Sequence, residues 1–191
     1  MKPFEILLNK TRSAFYSVKA FLQSAMLARE FPYRIEEIDP MTNRVIIHCY
    51  GTRTLIKTNL SDAIYDVSLL NGLPSKQTCW LGYYHGKSQR EAIISGKKTI
   101  QTQDASFLLS YNQERYKIVS MDRHSRITYI DVNTQKNHIE SPVNILKNKL
   151  IISNFGPSQS CYIGILAGIE VVKYGEEILS LPNKPLLTIV K

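Results

Sequence analysis

The sequence predicts an α+β fold in which two degenerate βββααβ repeats pack as one domain about a pseudo-twofold axis, with a helix at the N-terminus. Three observations predict it. QTCWLGYYHG at residues 77–86 returns as QSCYIGILAG at 159–168, with Gln, Cys and both Gly kept. YRIEEID at 33–39 returns as YKIVSMD at 116–122, so the two matches share nearly one offset and need only a single-residue gap between them. In both copies, short alternating runs divided by polar turns precede segments of helical periodicity. Arg44 then falls on Arg126, Thr52 on Thr134, and Leu69 and Leu70 on Ile151 and Ile152. Self-similarity at a fixed offset sets the architectural unit.

The N-terminal helix is read over residues 10–31. Phe15, Val18, Leu22, Ala25 and Met26 share one side, and Pro32 stops it. A membrane-surface helix or a targeting presequence would also be amphipathic. The wide apolar stripe and the charges of Glu5 and Glu30 favour a helix docked on the domain. Each repeat then opens with three strand-like runs: YRIEEI, RVIIHCY and RTLIKT in the first, YKIVSM, RITYIDV and NHIE in the second. Turn residues separate them, which predicts an antiparallel meander. A helix follows, starting near Asn59 to Ser61 in one copy and at Ser141-Pro142 in the other, where Ser caps and Pro suits the first turn. A second helix starts at Pro74-Ser75 and at Pro157-Ser158. Closing strands are predicted at 106–111 and 186–190. The boundaries are therefore residues 1–32 for the helical segment, 33–111 for repeat one and 112–191 for repeat two. The short bridge at 112–115 implies a shared core.

Composition fits a folded chain. Of the 191 residues, 43% are hydrophobic and 21% charged, enough apolar surface for a core and no disordered tract. The beginning of the chain lacks the unbroken apolar stretch of a signal peptide, and no run approaches membrane-spanning length, so no membrane insertion is expected. The three cysteines have no CxxC spacing, and Cys79 and Cys161 are repeat equivalents. They read as small core residues in a reducing, cytoplasmic setting. The net charge of +8 is spread along the chain, which admits an anionic partner without declaring one.

The duplicated helix carries the strongest physical signal. Cys79, Gly82 and Gly86 fall at i, i+3 and i+7, as do Cys161, Gly164 and Gly168, so three small side chains line one face of each helix. Glycine within a helix costs roughly 1 kcal/mol relative to alanine, which close packing of the two faces would offset. Trp80, Tyr83, Tyr162 and Ile165 are expected at the flanks. Repeat two is the more basic at its first turn. Arg123, His124, Arg126 and Tyr129, with Lys147 and Lys149, are the candidate contacts for an anion or nucleic acid.

No catalytic residue, metal ligand set or cofactor is assigned. His48, His85, His124 and His138 lack metal-ligand spacing, adjacent His48 and Cys49 would point to opposite faces of a strand, and no nucleophile elbow or phosphate loop occurs. The expected function is a non-enzymatic protein-interaction or adaptor module with a protein partner. The alternative is a nucleic-acid-binding protein using the basic face of repeat two, and a third reading is an enzyme with its site between the repeats. Oligomeric state is not legible.

Overall fold

Strand alternation builds the first sheet. The computed structural model describes residues 31–96, 108, 115–175 and 179. Within them, β1 (Tyr33–Asp39), β2 (Arg44–Cys49) and β3 (Thr54–Asn59) form an antiparallel meander in that order. The register sets Ile35, Ile47 and Ile56 side by side on one face and Arg34, His48 and Leu55 on the other. Val45 and Ile47 are accordingly buried while Ile46 and His48 keep partial contact with solvent. Asp39 accepts hydrogen bonds from the amides of Met41 and Thr42, which shapes the first turn.

Side-chain caps start the short helices. Asn59 accepts from the Asp62 amide (2.8 Å) to begin α1 (Leu60–Tyr65). Asp66 closes that helix and accepts from the Leu69 amide (2.9 Å) to begin α2 (Val67–Asn71). Pro74 then leads into α3 (Ser75–Ile94), of 20 residues.

The second unit repeats these devices. β4 (Tyr116–Met121), β5 (Ile127–Asp131) and β6 (Lys136–Glu140) form another three-stranded antiparallel meander, followed by α4 (Pro142–Lys147), α5 (Lys149–Ile152) and α6 (Pro157–Tyr174). Ser141 caps α4 and Asn148 caps α5, with Pro142 in the first turn. Irregularities in the ladder fall at matching places, between Ile35 and Glu37 and between Ile118 and Ser120. The non-glycine residues of positive φ also pair up: Asn43 (57°) with Ser125 (60°), and Arg53 (56°) with Gln135 (59°).

The molecule is thus α+β, with two antiparallel sheets each followed by helices, and two expectations need correcting. The first predicted helix of each copy is two short helices, because Asp66 and Asn148 bond forward as caps and interrupt the run. Leu108, the one described residue of the first predicted closing strand, lies in a 3₁₀ turn and is buried in the core of the first unit. Leu179, also in a 3₁₀ turn, packs against the core of the second. The second predicted closing strand and, apart from Phe31, the predicted N-terminal helix lie outside the described residues.

Among the described residues two buried clusters form, and the long helices serve both. Leu81 of α3 packs in the core of its own unit with Val45, Ile47 and Leu70, while Cys79 and Tyr83 of the same helix enter the core of the second. α6 reciprocates: Ile163 packs with Ile127 and Phe155, while Cys161 and Ile165 enter the core of the first.

Candidate functional site

The sequence-predicted glycine faces come together at the contact of α3 and α6. A Cβ added to Gly82 would run into the carbonyl of Cys161, and one added to Gly164 into the carbonyl of Cys79. Gly86 stands in the same relation to the Ile165 carbonyl and Gly168 to that of Tyr83. Opposing backbone fills the space a side chain would take. The helices therefore touch main chain to main chain, offsetting roughly 4 kcal/mol of helix propensity forgone at four glycines. Cys79 and Cys161 are almost fully buried there, and burial pushes both thiols well above their usual range. At the flanks, Tyr83 is buried and Trp80 meets it edge-on, with ring centroids 5.2 Å apart.

Gln77 and Gln159, kept in both copies, bind the sheet to the long helix. The Gln77 Oε1 accepts from the Ile35 amide (2.7 Å), and the Gln159 Oε1 from the Ile118 amide (3.2 Å). Both amides belong to the edge strand of their sheet, beside the place where the ladder shifts register. Both sheets are thereby fixed on the helix pair.

Of the six basic-site candidates of repeat two, Arg123, His124, Arg126 and Lys149 are exposed, Lys147 is half-buried and Tyr129 is buried. The β4–β5 turn exposes Arg123, His124 and Arg126, but Arg126 Nε is committed to Asp122 Oδ2 at 2.8 Å. Arg123 Nε donates to His124 Nε2 (3.2 Å). Tyr129 points inward instead: it is 2% exposed, stacks on His138 with rings 5.1 Å apart and 13° from parallel, and meets Tyr116 and Phe155. Its register on β5 places it opposite Ile118, on the core face, so it offers no ring to a nucleobase. Burial, with Glu140 and then Tyr116 adding to it, pushes its hydroxyl up to about 12. Lys147 on α4 is half-buried and interacts with Glu170 of α6; burial lowers its pKa and Glu170 partly restores it. Glu170 accepts from the Val143 amide (3.4 Å), and burial raises its pKa. Lys149 is exposed at the start of α5.

Two features escaped sequence reading. Asp131, 3% exposed at the end of β5, accepts from Arg115 Nη2 (2.9 Å) and Nε (3.2 Å), and from the amides of Asn133 and Thr134. The Arg115 hydrogen bonds hold its carboxyl down at about 2, with the loop amides adding to the effect. The repeat offset puts Cys49 at the same place in the first unit, where bonds from Thr52 and the Gly51 amide lower the thiol pKa. That offset was the available signal.

The second feature is the contrast between the outer sheet faces. In the first unit the register displays Arg34, His48 and Leu55 in one row and Glu37, Ile46 and Lys57 in the next, around an open depression that Glu36 and Arg53 also line. Glu37 pairs with Arg44 (2.7 Å), and Glu36 lies between Arg34 (3.7 Å) and His48 (3.9 Å). The matching rows of the second unit are Lys117, Ile130 and Asn137, then Ser120, Thr128 and Ile139. Val119 and Ile139 are 60% and 59% exposed there. One face is charged and the other nearly uncharged.

Among the described residues, no three His, Cys, Asp or Glu side chains converge to hold a metal ion, and no helix is long and apolar enough to cross a membrane. No family model matches this chain, and neither does any curated protein or solved structure.

Proposed function

We propose that this chain is a non-enzymatic protein-interaction module of adaptor type, working in a reducing cytoplasmic setting. An internal duplication, residues 33–111 and 112–191, joins its halves about a pseudo-twofold axis. The axis is supported by the reciprocal glycine contacts, in which each partner on α3 has its repeat equivalent on α6. The observation that carries the functional reading is the divergence of the two outer faces on one repeated scaffold. Packing positions keep their character, Val45 and Ile47 answering to Ile127 and Tyr129, while outward positions change from Glu37, His48 and Lys57 to Ser120, Ile130 and Ile139. Two unlike surfaces held rigidly together suit a protein that joins two different partners.

The test is co-purification of the full chain from its native cells at low salt, beside a Val119→Asp/Ile139→Asp variant and a Leu55→Asp variant whose melting matches wild type. Each variant is expected to lose a different polypeptide from those retained by wild type. Identical retention by all three proteins would overturn the adaptor reading. So would salt-sensitive nucleic acid that is lost on Arg123→Glu, which would establish the nucleic-acid alternative.

A further inference from the structure

We draw no further inference here: the strongest candidate, the open depression on the outer face of the first sheet lined by Glu36, Glu37, Ile46, His48, Arg53 and Leu55, carries nothing because its charges are largely paired within the sheet and nothing in the structure shows what covers it.

Discussion

Glycine at the helix contact is a steric requirement at the scale of single residues. Because the atom facing Gly82 or Gly164 is a backbone carbonyl, no side-chain rotation relieves even a methyl group; the helices must separate. Gly82→Ala and Gly164→Ala are each expected to cost about 1–3 kcal/mol despite the better helix propensity of alanine, read as a lower urea midpoint. Gly51→Ala, where a Cβ meets nothing, serves as the control and should leave the midpoint nearly unchanged. Asp131 supplies a pH test. Its native carboxyl titrates near 2, below its ordinary 3.8, so the stability it contributes is present above the ordinary value and is lost as pH falls between the two. Urea midpoints of the wild type should therefore fall more steeply from pH 4 to pH 2 than those of Asp131→Asn. The cysteines separate by environment as well. Cys49 is partly accessible with a lowered pKa, whereas Cys79 and Cys161 are buried with raised values. Alkylation at neutral pH should label Cys49 in the native protein and the other two only after unfolding, as peptide mass spectrometry would record.

Among elements, one glutamine per unit adds a hydrogen bond to the apolar packing of sheet on long helix. Replacing Gln77 or Gln159 with Leu leaves the amide of Ile35 or Ile118 without its acceptor, at an expected cost of about 1–3 kcal/mol. Hydrogen exchange should quicken at that amide and its strand neighbours before it does in the other sheet. A midpoint and exchange rate equal to wild type would exclude the glutamine as an anchor. Splitting of the predicted first helix belongs to this scale too. Apolar periodicity runs through residues 60–71, but Asp66 bonds the Leu69 amide and halts the ladder of α1. Whether an Asp within a periodic run caps or merely faces solvent depends on the direction the chain takes next, which local pattern does not contain.

For the whole molecule, mutual insertion of Cys79, Tyr83, Cys161 and Ile165 makes each long helix part of the other unit's core. A single unfolding transition is the expected outcome. Ile47→Ala in the first core and Ile127→Ala in the second should each lower that same transition, by about 2–5 kcal/mol, with fluorescence and circular dichroism remaining coincident. Two resolved transitions, one moved by each substitution, would show that the units are energetically separate.

The sequence by itself determined the local chemistry: the alternating strands, the Asp turns at 39 and 122, the Ser141 cap with Pro142 behind it, and the paired small faces of the long helices. Each of these depends on neighbours within a few residues, and the duplication showed them twice. Only the tertiary structure decided which groups meet across the chain. It turned Tyr129 into the core and set Lys147 beside Glu170, so that two of the residues grouped in the sequence face the interior or an acidic neighbour. It also brought Arg115 to Asp131 and each glutamine to an irregular strand amide. Contacts of that kind depend on how sheets and helices are placed, and hydrophobic periodicity fixes which face of an element is buried but not what lies opposite it.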